Sequence, residues 1–168
     1  SGGAGAALAS GMLPLADGSD LGGSLRNPAN FNGVVALRPT AGISRELGDD
    51  TFLGFNVKGP MGRTVDDVAF LFDVMVGARD SWPLQRDPRG VRVAWCLDLG
   101  GLPLDPRVRT ALVSKRALIE SIGCVVEDAD PDLSEADDIF LTIRRRRSFT
   151  NLGPLLALHR GEMKPEAV

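Results

Sequence analysis

The chain has 168 residues, a formal charge of −3, 43% hydrophobic and 24% charged side chains, which is enough apolar mass for a core and gives no net attraction to nucleic acid or an anionic membrane. Cys96 and Cys124 are the only cysteines and stand far apart, which suits neither a disulfide framework nor a zinc site and makes a reduced, cytoplasmic protein the expectation. No apolar run approaches the ~20 residues that span a bilayer, and no signal peptide is recognised. The chain opens on Ser1-Gly2-Gly3 without Met and stops at Ala167-Val168, so both ends read as internal to a longer protein.

Residues 4–11 are nearly all Ala, Gly and Leu, predicting a short buried helix packed too closely for larger side chains. Leu13-Pro14-Leu15-Ala16 predicts a short strand, and Asp17 through Ser24 a turn-rich loop. Val34-Val35-Ala36-Leu37, between Gly33 and Pro39, predicts a buried strand. Thr64 with Asp67 forms a capping-box pattern, after which Val65, Val68, Ala69, Phe72, Met75 and Val76 recur at helical spacing up to Gly77. Beyond a Pro- and Arg-containing stretch from Pro83 to Gly90, Val91-Arg92-Val93-Ala94-Trp95 alternates as a strand, and Gly100-Gly101 marks a loop. Asp105 as cap and Pro106 as first residue open one helix with Val108, Ala111, Leu112, Leu118 and Ile119 inward and Gly123 closing it. Cys124-Val125-Val126-Glu127 follows as a strand, giving a β-α-β unit with parallel strands. Ser134 with Asp137 starts a last helical region, and the whole reads as α/β.

The chemistry concentrates in Asp20-Leu21-Gly22-Gly23-Ser24. Two glycines before a hydroxyl permit positive φ and leave main-chain N–H groups uncovered beside a nucleophile. If Ser24 attacked a carbonyl, the N–H groups of Leu21, Gly22, Gly23 and Ser24 would lie close to the oxyanion, and one such donor is typically worth about 10²–10³ in rate. A Gly-Gly-Ser triplet alone is more often a flexible turn, so the surrounding sequence decides.

That surrounding sequence, the run from Gly18 through Ser24-Leu25-Arg26-Asn27-Pro28 to Arg38-Pro39-Thr40, closely resembles the signature of the amidase signature family. Ser1-Gly2-Gly3 with its small residues and Lys58-Gly59-Pro60-Met61-Gly62-Arg63-Thr64-Val65-Asp66-Asp67 resemble two further blocks of that family, in the same order. From Val91 onward the likeness is weaker. The resemblance implies a fragment of the amidase signature fold, a mixed β-sheet covered by α-helices, with residues 1–80 as signature core and 90–168 as the β-α-β unit and following helices, truncated at both ends. It implies a Ser-Ser-Lys mechanism for cleaving carboxylic amides, with Ser24 as nucleophile and Leu21, Gly22 and Gly23 as oxyanion-hole donors. Asp20 and Arg26 match the charged residues that brace the loop. Ser1 matches the second serine of the family's Gly-Gly-Ser-Ser-Gly-Gly motif and is read as loop support, which places the bridging serine just before Ser1 and the lysine base well upstream. Lys58, Lys115 and Lys164 match neither position. An alcohol needs a base and an amine leaving group needs a proton, so these residues alone are expected to be inactive. Arg38, where lysine is common, and Asn32, where cysteine is frequent, are departures expected to affect packing more than mechanism.

The implied partner is a small-molecule amide, with no cofactor, no metal, no nucleic acid and no membrane, and with a homodimer of the full-length protein left open. The alternatives are the amidase-fold subunit of a glutamyl-tRNA amidotransferase-like complex and a noncatalytic truncated amidase-fold module. His159, the one histidine, has no evident carboxylate partner and reads as a surface residue. Arg144-Arg145-Arg146-Arg147 could suggest an RNA contact, but consecutive helical residues point about 100° apart and make no continuous face, so the run reads as a solvated or carboxylate-paired helix. Asp128, Asp130 and Asp132 alternate like calcium ligands, but Leu133 replaces the loop glycine and the closing Glu is missing, so the metal reading is rejected. Cys96 and Cys124 read as core thiols. The glycine-rich start lacks the ending of a phosphate loop.

Overall fold

The computed structural model describes residues 1–43, 55–78 and 86–164. The chain divides into two compact units, Ser1–Arg86 and Asp87–Val168. Of the stretch read from Pro83 to Gly90, residues 83–85 lie outside the described residues.

In the first unit, helix α1 (Gly2–Ala9), strand β1 (Leu15–Asp20), helix α2 (Arg26–Asn32), strand β2 (Val35–Ala36), strand β3 (Val57–Gly62) and helix α3 (Val65–Val76) follow in order. The sheet runs β1-β3-β2, antiparallel throughout, with Leu15 opposite Gly62 and Asp20 opposite Val57. Two readings of the sequence are corrected here. Asp17 to Asp20 belong to a strand, because pairing with β3 along its length overrides the turn preference of Asp17-Gly18-Ser19-Asp20. Helix α2 has no counterpart in the sequence reading, because Pro28 and three asparagines argue against a helix; Pro28 sits in its first turn, where an absent N–H costs nothing.

The middle strand contains Pro60, which ordinarily marks an edge. Its carbonyl accepts the Leu37 N–H at 3.1 Å toward the β2 side, and the missing N–H falls on that same side. There β2 pairs only with Met61 and Gly62.

The core is small: Leu8, Leu25, Ala29 and Met61 cluster, with Val57 and Val68 also buried. Helix α1 is thus less buried than its composition predicts, since among its residues only Gly5 and Leu8 are inside. At Gly5 the packing argument holds, as a methyl would come within 3.1 Å of Pro28 Cβ, whereas Gly2 and Gly3 face open space. Helix α3 starts as read: Thr64 Oγ1 accepts the Asp67 N–H at 3.1 Å, Asp67 Oδ2 accepts the Thr64 N–H at 3.2 Å, and left-handed Gly77 ends it. Val65, counted on its apolar face, is exposed. Arg63 donates to the carbonyls of Leu8 and Leu13, tying the C-terminal end of α1 to β3.

In the second unit, strands β4 (Arg92–Trp95) and β5 (Val125–Asp128) pair in parallel, Arg92 opposite Val125. The connection between them is two helices, α4 (Pro106–Val113) and α5 (Arg116–Ser121), where the sequence predicts one. The break falls where the Ser114 hydroxyl donates to the Ala111 carbonyl and the Lys115 N–H to Leu112, a tightened turn. Asp105 caps α4 through the Arg107 N–H at 2.8 Å. The inward assignment of Val108, Ala111, Leu112 and Leu118 is not met: all four are exposed and Ile119 is half-buried. None of the described residues of this unit is fully buried, because a two-stranded sheet offers too little surface to cover them.

Helix α6 (Ala136–His159) begins one residue later than the Ser134–Asp137 pattern suggests, with Glu135 as N-cap and no side-chain cap, and the Ser134 N–H donates to Asp132 Oδ1 at 3.0 Å. Among the described residues no helix is long and apolar enough to cross a membrane.

Candidate active site

Strand β1 delivers Asp20 into the interior, where its side chain is 0% exposed. A buried carboxylate must be paired and hydrogen-bonded, and this one is met from several directions. Oδ1 accepts the Gly23 N–H at 2.7 Å and Arg26 Nη2 at 3.0 Å; Oδ2 accepts Arg26 Nε at 2.9 Å and the N–H groups of Leu25 and Arg26 at 3.3 and 3.4 Å. Arg38 Nε lies 3.7 Å from Oδ1. Burial pushes the Asp20 pKa up, but the Arg26 guanidinium, the Gly23 amide and the Arg26 charge outweigh it and lower the value from 3.8 to about 2. The carboxylate is ionised at neutral pH and closes the turn that follows it.

That turn is anchored on both sides of Ser24. Gly23 is buried with φ +106°, a conformation suited to glycine, and a methyl there would come within 2.7 Å of the Asn27 side-chain amide. Leu25 is 0% exposed in the core cluster. Ser24, between two buried neighbours, is exposed. It borders a cleft of about 260 Å³ whose walls include Ser1, Gly23, Asn27, Phe31 and Asn32. The Ser1 hydroxyl accepts the Ser19 N–H at 3.0 Å and donates to the Ser19 carbonyl at 3.3 Å, which ties the first block of the sequence to β1. Gly18 is needed at that crossing, since a side chain would overlap the Ser1 hydroxyl.

The structure therefore brings Ser1, Asp20, Gly23, Ser24 and Arg26 together. The Gly23 N–H, which the family resemblance counts among the oxyanion-hole donors, donates to Asp20 Oδ1 at 2.7 Å. A buried anion three residues upstream captures it, and it serves as a brace. The amides of half-buried Leu21, exposed Gly22 and Ser24 are not among the donors to Asp20. Two residues carry no site role in the sequence reading, Asn27 under Gly23 and Arg38 beside Asp20. The second gives no local signal, because its partner lies on a different element well back in the chain.

The other candidates lie elsewhere. His159 does have a carboxylate neighbour, Glu162 at 3.3 Å, one helical turn on and at the surface. Asp128 pairs with Arg116 at 2.7 Å. Arg144 lies over the Phe140 ring at 5.9 Å. Cys96 and Cys124 flank the strands and are half-buried, not core residues; the hydrogen bond with the Asp130 carboxylate, followed by burial, pushes the Cys96 thiol up.

The first unit thus presents an exposed serine on a glycine turn closed by an ionised, buried aspartate. The family model for amidases matches residues 1–153, and the chain belongs to the amidase signature family. It is 36% identical to a glutamyl-tRNA(Gln) amidotransferase subunit of Symbiobacterium thermophilum over 167 aligned positions, covering 90% of this chain and 34% of that protein. It is 38% identical to an acylamidase of Rhodococcus erythropolis over 142 positions, 76% of this chain and 30% of that one. A crystal structure of an amidase superposes with a TM-score of 0.81 at 26% identity, covering 98% of this chain and 37% of that one. The chain thus spans about a third of the length of the relatives it matches.

Proposed function

We propose that this chain carries the nucleophile segment of an enzyme that cleaves carboxylic amide C–N bonds through an acyl-enzyme at Ser24. The observation that supports this reading most is the exposed Ser24 hydroxyl at the cleft, held between buried Gly23 and buried Leu25 on a turn pinned by ionised Asp20. Ser24 Oγ adds to the substrate carbonyl, and the oxyanion is met by the N–H groups of Leu21, Gly22 and Ser24. The C–N bond breaks as the nitrogen takes up a proton, leaving an ester on Ser24 that water hydrolyses. Asp20 and Arg26 hold the loop and transfer no proton. Ser1, through Ser19, fixes where the first block meets β1.

The proton from Ser24 passes to a bridging serine and a lysine, which the family resemblance places upstream of Ser1. The three lysines present, Lys58, Lys115 and Lys164, match neither role, so the 168 residues by themselves are expected to show negligible amidase activity. The substrate is a small amide, and the chemistry uses side chains and main-chain amides alone. A second reading, in which the protein releases ammonia for transfer within a larger complex, is favoured by the 36% identity to an amidotransferase component. Labelling the full-length protein with a fluorophosphonate probe tests the nucleophile: wild type labels and Ser24→Ala does not. Equal labelling of the two ends the proposal. Turnover of simple primary amides without a partner protein then separates a hydrolase from an amidotransferase component.

A further inference from the structure

We infer that Arg38 is a positioning residue of the nucleophile loop, acting through Asp20 Oδ1 to fix the Gly23 amide and to leave the Asp20–Arg26–Arg38 cluster with one positive charge in excess beside Ser24. This rests on the reading of Ser24 as nucleophile.

Oδ1 is the shared atom: it accepts the Gly23 N–H at 2.7 Å and Arg26 Nη2 at 3.0 Å, and Arg38 Nε stands 3.7 Å from it. Gly23 immediately precedes Ser24, so whatever fixes Oδ1 fixes the backbone from which the hydroxyl projects. The second arm of the Arg38 fork, Nη2, donates to the Phe55 carbonyl at 3.2 Å, just before β3. Arg38 therefore links the turn after β1 to the entry of the strand that pairs with β1.

Its own backbone is held tightly. The Leu37 N–H donates to Pro60, and the Leu37 carbonyl lies so close over Gly59 that any side chain there would overlap it, with Pro39 Cδ and Leu25 Cδ1 each 2.9 Å from the same point. The Arg38 side chain is 32% exposed and that of Arg26 60%, so of the two cations Arg38 is the less screened. One carboxylate between two guanidinium groups leaves a net charge of +1 beside a loop on which an oxyanion develops. An incompletely screened unit charge near such a site is worth about tenfold in rate.

The test uses the full-length protein and the fluorophosphonate probe, resolved into the maximal inactivation rate and the half-saturating concentration. Arg38→Gln is expected to lower the maximal rate about tenfold with the half-saturating concentration changed less than about twofold, and Arg38→Lys, which retains the charge, to stay within about twofold of wild type. A purely structural contact would not be restored by lysine, which lacks the fork. Wild-type rates in Arg38→Gln, or an equally large loss in Arg38→Lys, overturn the inference. Should Arg38→Gln fail to fold, a loss of about tenfold or more in Arg38→Lys overturns it and a rate near wild type supports it. Failure of Ser24→Ala to abolish labelling would instead overturn the nucleophile reading, so the two failures are distinguishable.

Discussion

Replacing Asp20 by Asn changes one atom in shape but removes the charge on which the turn closes. The lowering of the Asp20 pKa from 3.8 to about 2 corresponds to about 2 kcal/mol favouring the carboxylate over its protonated form in the fold. An asparagine also turns an NH₂ group toward donors that had an acceptor, leaving at least one of Gly23 N–H, Leu25 N–H or the Arg26 guanidinium unmatched, which costs about 1–3 kcal/mol more. Because the Arg26 side chain is 60% exposed, solvent screens part of its attraction, and a total of about 3–4 kcal/mol is expected. Urea denaturation of the full-length protein measures this, alongside the fluorophosphonate rate. The dependence on pH has a definite sign. A group with a lowered pKa stabilises fully above its unfolded value of 3.8, and the contribution is lost as pH falls through about 2. The wild type should therefore lose stability over that window more steeply than Asp20→Asn. An Asp20→Asn protein within about 1 kcal/mol of wild type, labelling at an unchanged rate, would refute the view that this carboxylate holds the nucleophile turn.

Gly59→Ala places a methyl into the Leu37 carbonyl, a backbone atom that cannot rotate aside, and a loss of about 3 kcal/mol or more is expected by urea denaturation, together with slower labelling because Arg38 is displaced. Thr64→Ala removes one half of the α3 capping box and should lower stability by about 1 kcal/mol in the same assay while leaving the labelling rate unchanged.

What could be read in the sequence divides by range. The capping box at Thr64 and Asp67, the Asp105-Pro106 start and the left-handed Gly77 stop are each decided within a few residues, and all form as read. The parallel pairing of β4 and β5 follows from the order strand, helix, strand. The extension of β1 to Asp20 is hidden because it depends on β3, far along the chain, supplying a partner to residues that locally favour a turn. Exposure in the second unit is misjudged for a related reason, since helical spacing shows which side chains share a face but not whether anything covers it. In the site, the Asp20–Arg26 brace is legible as a pair because its members lie on one loop. The capture of the Gly23 amide is not, since motif spacing counts donors without showing which acceptor each one faces.

Pro60 carries a consequence for solubility. A sheet border with free N–H groups invites foreign strands to add, the route to intermolecular ribbons and fibrils. Beyond Val35–Ala36 the middle strand offers no hydrogen at Pro60, and its carbonyl is already taken by Leu37. An incoming strand would thus find neither a donor nor a vacant acceptor at that position of the sheet.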